Sequence, residues 1–292
     1  MIKSIENNLI NSIVNDFFLK DWFRDEDPIV AGGSILYLYL NFADESSYRS
    51  RQMASKVKSI RKMKQSGLNH RKLCQSPTLG GYNGDIDVWF SSEEALRKVL
   101  KKAPRRNSFV GADGVEGRKL STNWAETFPT RNDLFPGLKE VQVIKGYPKS
   151  PEELIETFDM SNSMIAWRNN IIYVDDRLAS SFDDGLIQYV NSPFDDDMTI
   201  ASKLFNCIRL FKYAEKYDLS FSKDIHNNIL SVFLEVDGLD LSLYEQKIEI
   251  ANGTYGVSLA SSNTVKSMAY NLAGKVSRWY SMGNFDEADL AF

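Results

Sequence analysis

The stretch GGYNGDIDVWF, residues 80–90, places Asp85 and Asp87 in a segment whose Ile86, Val88, Trp89 and Phe90 are those of a buried strand. Charge in such a strand is costly unless something pairs with it. Strand alternation sets both carboxylates on one face, about 7 Å apart along the chain, with Ile86 and Val88 on the other. That spacing suits hard divalent cations, magnesium or manganese, and two such ions can clamp the attacking and leaving oxygens of a phosphoryl displacement. The pattern alone is common, because metal-dependent glycosyltransferases carry an Asp-x-Asp and so do many surface turns. An EF-hand is excluded, since VWF follows where further oxygen ligands and a glycine would stand.

Upstream, PIVAGGSILYLYLNF (residues 28–42) reads as a strand, a glycine turn and a helix, with Ser34 as the helix cap. Two glycines and a serine at a helix start offer backbone N–H groups, a hydroxyl and the positive end of the helix dipole, the parts of a phosphate cradle. A plain tight turn is the alternative. The chain before Pro28 has Ile5, Leu9, Ile13, Phe17 and Leu19 at helical spacing and is expected as an amphipathic helix.

Between Asn41 and Gly80 stand Arg49, Arg51, Lys56, Lys58, Arg61, Lys62, Lys64, Arg71 and Lys72 against Asp44 and Glu45, a net of +7, while the remaining 26 basic and 37 acidic residues carry −11. A basic arm on an acidic body suits a polyanionic partner, and its lack of acids removes the intrahelical salt bridges that usually support a charged helix. The arm is expected to be helical from about Tyr48 to Lys64. SSEEALRKVLKKA (91–103) is a helix with a capping box from Ser91 to Glu94, and residues 104–137 read as loop with short elements.

KEVQVIKGY (139–147) is a strand ending at Lys145, and SPEELIETF (150–158) is a short helix with Ser150 as cap. FDMSNSMIAW and NNIIYVDDR form a hairpin turning at Arg168 to Asn170. From about Asp197 the pattern is helical, with Arg209 and Lys212 on the first helix of that region. No run of about 18 apolar residues suggests a membrane span, and Cys74, Cys207, His70 and His226 stand in no disulfide or zinc spacing. A soluble, cytoplasmic protein is expected.

Val30, Gly32, Gly33 and Ser34 followed by Asp85, Ile86, Asp87 and Val88 resemble the nucleotidyltransferase superfamily that includes polymerase beta, poly(A) polymerases and CCA-adding enzymes. VQVIKGYPKSPEELIETFDMS (141–161) is similar to the part of the pattern that brings a third carboxylate, here Asp159 between Phe158 and Met160. Members from phages and large DNA viruses look most similar, which would place the protein in host cytoplasm. The resemblance covers roughly residues 28–182. It departs in one respect, since Ser34 and Asp85 are 51 positions apart, far more than is usual in the family, and the extra length is the basic arm.

The resemblance implies an α+β fold: a polymerase beta-like mixed-sheet domain with flanking helices, followed by a helical C-terminal domain. Residues 1–27 would be a helix packing on the core, 28–195 the catalytic domain with its insertion at 41–80, and 196–292 the helical domain. It further implies a transfer of NMP from an NTP to a hydroxyl acceptor, RNA or another nucleic acid. Asp85, Asp87 and Asp159 would hold Mg2+ or Mn2+. Gly32, Gly33, Ser34, Lys145, Arg209 and Lys212 would hold the nucleotide, and the nine basic residues of the arm the nucleic acid. The alternatives are a catalytically silent member serving as a nucleic-acid-binding or virion assembly module, an enzyme modifying protein or a small molecule, and a sugar-nucleotide glycosyltransferase. The last leaves Gly32 to Ser34 and Asp159 unexplained.

Overall fold

The computed structural model describes residues 1–66, 82, 84–103, 120–121, 124–130, 132, 134–138, 140–192, 194, 198–237, 246–250, 255–260 and 262–281. The chain forms two compact units, Met1–Glu156 with Ser163–Asp175, and Thr157–Asn162 with Asp176–Phe292.

The first unit is built on a mixed sheet. Its strands are β1 (Ile2–Ile5), β2 (Ile29–Ala31), β3 (Ile86–Trp89), β4 (Leu120–Ser121), β5 (Ala125–Pro129), β6 (Glu140–Ile144), β7 (Ile165–Arg168) and β8 (Ile171–Asp175). Their order is β1-β8-β7-β2-β3-β6-β5-β4. β3 and β6 are parallel, and the other neighbours are antiparallel. All three residues of β2 are wholly buried, as befits a strand covered on both faces. The opening residues, expected as helix, form the edge strand β1 instead, and α1 (Asn8–Ile13) follows and continues through a π-helical turn to Phe18. The apolar spacing was therefore right only from Leu9 onward. β5 was not separated from loop by the sequence, whose Gly, Pro and Asn around it mask a five-residue strand.

α1 is tied to the β7–β8 hairpin. Asn11 Nδ2 donates to the carbonyl of Asn170 at 2.7 Å, Asn15 Nδ2 donates to its side-chain oxygen at 2.7 Å, and Trp167 Nε1 donates to Asn11 Oδ1 at 2.8 Å. The hairpin turns through Asn169 and Asn170, both at positive φ (50° and 65°), as a two-residue turn of this kind requires and asparagine tolerates. α2 (Gly33–Phe42) leaves β2, and α3 (Tyr48–Gln65) follows, capped by Ser47. α4 (Glu93–Lys102) begins at Ser92, whose hydroxyl accepts from Ala95 N–H at 3.1 Å. The cap thus falls one residue later than the expected Ser91. α5 (Pro151–Glu156) starts at Ser150 as expected.

Arg168, at the end of β7, donates to both carboxylate oxygens of Asp27, which sits at φ 51. Hydrogen bonding to Arg168 holds the Asp27 carboxyl below the usual carboxylate range. A carboxyl depressed in the folded state stabilises above its unfolded pKa, about 3.9, and that contribution fades as pH falls below it. Arg168→Ala is accordingly expected to lower the thermal midpoint at neutral pH and to leave a shallower loss of stability between about pH 5 and pH 3, which thermal scans across that range measure.

The second unit contains α6 (Asp176–Asp183), α7 (Ile200–Tyr217), α8 (Lys223–Asp237) and α9 (Ser262–Ser281), a parallel pair β9 (Leu186–Ile187) and β10 (Ser220–Phe221), and the hairpin β11 (Gln246–Ile250) and β12 (Tyr255–Ala260). The hairpin departs from the expectation of a helical domain. Leu204, Cys207, Leu210, Phe211, Ile225, Ile229, Val265 and Leu272 belong to the core of the second unit, with Phe221 stacked on Trp279 at 4.6 Å. Burial pushes the Cys207 thiol well above its ordinary range, consistent with a packing residue. No described helix is long and apolar enough to cross a membrane.

Candidate active site

β2 runs antiparallel to β3 with Ala31 opposite Asp87, and the chain leaves β2 through Gly32. Gly32 adopts φ 72 and ψ −147 and caps α2, a backbone region that is essentially glycine's alone. A methyl group on its Cα would lie 3.5 Å from Asp87 Oδ2, so the start of α2 and this carboxylate are in contact range. The first amides of α2 have no carbonyl to bond within the helix and stand at the positive end of its dipole. Gly32 and Gly33 are half-buried, which leaves their backbone reachable.

Ser34 is not the cap that its residue type suggested. It is the second helical residue, wholly buried, and its hydroxyl makes no hydrogen bond among the described residues. An unmade buried hydrogen bond is unfavourable by about 1–3 kcal/mol. Gly32→Ala should cost about 1–3 kcal/mol of stability through backbone strain alone, because the added carbon meets Asp87 only at ordinary contact distance; denaturant unfolding of the variant measures this.

Asp85 and Asp87 are both half-buried. On the other side of β3 lies β6, with Asp87 opposite Gln142 and Ile86 opposite Val141. Alternation therefore continues the aspartate face onto Gln142 and Glu140. Gln142 Nε2 donates to Asp85 Oδ2 at 3.2 Å, and Tyr82 Oη donates to the Asp85 carbonyl at 2.7 Å. Sequence reasoning did not single out Gln142 or Glu140. The period-2 pattern of EVQVI marked the strand, but its parallel register against β3 joins residues more than fifty positions apart.

Lys145 follows β6 in the parity of Val141 and Val143, opposite to Gln142, and pairs with the buried Glu126 at 3.2 Å. Of the arm, Arg49, Arg51, Lys58, Arg61, Lys62 and Lys64 are exposed on α3 and Lys56 is buried. Arg71 and Lys72 lie outside the described residues, as do Cys74 and His70.

In the second unit, Asp159 is buried and both its carboxylate oxygens accept from the Arg209 guanidinium. The Asp159 carbonyl accepts from Val190 N–H at 2.8 Å. Arg209 also lies over the Tyr213 ring at 5.6 Å, and Lys212, one helical step on, is exposed. Among the described residues no three His, Cys, Asp or Glu side chains are gathered so as to hold a metal ion.

Fold and site together define an α+β protein in which a glycine turn opens a helix against a strand carrying paired aspartates. The chain belongs to the Gabija anti-defense 2 family, whose model matches residues 4–184. That span holds the glycine turn, α3, both aspartates, Asp159 and the β7–β8 hairpin. No curated protein matches the chain. Among solved structures, it is similar to the Thermotoga maritima CCA-adding enzyme complexed with tRNA, with 11% identity and a TM-score of 0.38 over 78% of this chain and 42% of that one. It is also similar to a CCA-adding enzyme with ATP, with 9% identity and a TM-score of 0.39 over 80% of this chain and 46% of that one. A tRNA-processing enzyme in an apo form matches with 9% identity and a TM-score of 0.36 over 80% and 48%. The chain thus spans less than half the length of these proteins.

Proposed function

We propose that the chain is a metal-dependent nucleotidyltransferase of polymerase beta-like fold that moves a nucleoside monophosphate from a nucleoside triphosphate to a hydroxyl of a nucleic acid, and that its anti-defense family directs this transfer against Gabija. The observation that carries the reading is the contact-range approach of the Gly32 turn to Asp87. It sets an anion-binding helix start beside carboxylates, the pairing that a nucleoside triphosphate with its cation calls for. The unused, buried hydroxyl of Ser34 fits the same ligand.

Asp85 and Asp87 would hold Mg2+ or Mn2+, which when bound neutralises triphosphate charge and makes an acceptor hydroxyl a better nucleophile. The amides of Gly33 and Ser34, with the Ser34 hydroxyl, hold the β and γ phosphates. Gln142 fixes the orientation of Asp85. Asp159, Arg209 and Lys212 belong to the second unit, where Arg209 holds Asp159, and the resemblance alone would make Asp159 a third carboxylate and the two cations phosphate ligands. A phosphate role for Lys145 needs its Glu126 pair to open. In the transfer, the acceptor oxygen forms a bond to the α-phosphorus as the bond to the bridging oxygen breaks, pyrophosphate leaves with that electron pair, and the hydroxyl proton passes to solvent. Positioning and charge neutralisation supply most of the rate.

A second reading is a catalytically silent module that binds nucleotide or nucleic acid. It is favoured by Gln142, which faces the aspartate pair from β6 and donates its amide to Asp85, at a position where a further carboxylate would strengthen a metal site. Incubating the chain with each α-labelled nucleoside triphosphate, magnesium or manganese, and RNA, DNA or cell lysate separates the two. Label on RNA or DNA supports the transfer reading. Label on protein alone overturns the nucleic-acid acceptor, and metal-dependent nucleotide binding without transfer supports the silent module.

A further inference from the structure

The basic arm enters the first unit as α3, and its packing sorts the charges into two sets. One side of the helix buries Met53, Val57 and Ile60. Several cations flank that side and are used within the unit. Lys56 is buried, Arg61 pairs with Asp16, Arg49 lies over the Phe42 ring at 5.9 Å, and Lys64 lies over the Phe17 ring at 5.1 Å. Arg51, Lys58 and Lys62 remain. At 100° per residue they fall within a narrow strip opposite Met53, and all three are exposed.

None of the three makes an ion pair among the described residues. The nearby Asp44 carboxylate is engaged by Ser46, through both its hydroxyl and its N–H, and makes no ion pair with Arg51 among the described residues. The helix carries no acid over its 18 residues, so the strip is a straight row of three cations. At 1.5 Å per residue, Lys58 and Lys62 are about 6 Å apart along the axis, and Arg51 lies about 10 Å further on.

The geometry points to this row as a docking ridge for the phosphodiester backbone of a nucleic acid. The charge sign selects a polyanion; beside the row stand polar Ser55 and Gln65 and the exposed ring of Tyr48, a surface on which a nucleic-acid base can stack. A buried side fixes the ridge to the unit that also carries Asp85 and Asp87, so the ridge guides an acceptor strand with a defined orientation. This inference rests on the nucleic-acid acceptor proposed above and adds the surface that holds it.

The test is the salt dependence of binding to labelled oligonucleotides of single-stranded RNA, single-stranded DNA and duplex DNA. It compares the unmodified chain, the triple variant Arg51→Ala, Lys58→Ala, Lys62→Ala, and Asp87→Asn. Three phosphate contacts contribute about 2 to the slope of log affinity against log salt for a single strand and about 2.7 for a duplex. The triple variant is expected to lose that much slope on whichever nucleic acid binds, while Asp87→Asn keeps it. An unchanged slope in the triple variant, or no binding of any of the three by the unmodified chain, overturns the ridge. Nucleotide transfer to nucleic acid that persists with an unchanged slope overturns the ridge alone. The predicted loss of slope in a chain that transfers nothing supports the ridge and counts against the transfer reading only.

Discussion

Asp87→Asn is expected to lower nucleotide transfer by on the order of 10²–10³, the scale seen when one charge-stabilising group is removed from a reaction centre, with little change in stability. The substitution keeps the size and shape of a side chain that sits 3.5 Å from the place a Gly32 Cβ would take, and removes only the charge that a cation needs. Asp85→Asn should act in the same direction. Gln142 would then donate to an amide oxygen rather than a carboxylate, a weaker bond. Single-turnover transfer rates and unfolding midpoints, measured on the same preparations, separate a chemical loss from a folding one. A rate within a few-fold of the unmodified chain would remove Asp87 from the metal site.

The second large effect concerns stability. Arg209→Ala should destabilise the second unit by about 3–5 kcal/mol, because it leaves the buried Asp159 carboxylate without its charged partner. Arg209→Lys keeps a charge but not the two-pronged geometry and should fall between. If the cost comes from the orphaned carboxylate, Asp159→Asn introduced together with Arg209→Ala should recover a good part of it, since the amide carries no charge to bury. Denaturant unfolding of the four chains reads this directly. Equal stability of Arg209→Ala and the unmodified chain would mean that the pair contributes nothing to the native state.

Legibility in the sequence followed the range of the interactions. Asp85 and Asp87 stood out because a two-residue period fixes which face a strand residue takes, and β3 keeps that period. The β7–β8 hairpin was legible because Asn169-Asn170 is a turn that only a few residue types build. α3 began and ended within a residue of expectation, with Ser47 capping and no glycine or proline inside. The glycine turn was recognised but its roles were misassigned: glycine and serine both cap helices, and local sequence does not say that the positive φ of Gly32 is what brings the turn against Asp87. Nor does helical spacing tell which cations of α3 pack on neighbouring elements, since Asp16, Phe17 and Phe42 lie far away or on the far side of a turn. Glu140 and Gln142 stayed invisible for the same reason, their relation to β3 being a register between distant strands. The Asp159–Arg209 pair spans fifty positions, and two sensible local readings, a metal ligand and a phosphate ligand, gave no sign that the two residues hold each other.

The most direct test of the central claim is the identity of the inorganic product. With a nucleoside triphosphate, manganese or magnesium and a nucleic-acid acceptor, the chain is predicted to release one pyrophosphate for each nucleoside monophosphate transferred, and to release none when Asp85 and Asp87 are both asparagine. Release of orthophosphate in place of pyrophosphate, or pyrophosphate release that survives both substitutions, would contradict attack at the α-phosphorus in a site built on Gly32, Asp85 and Asp87.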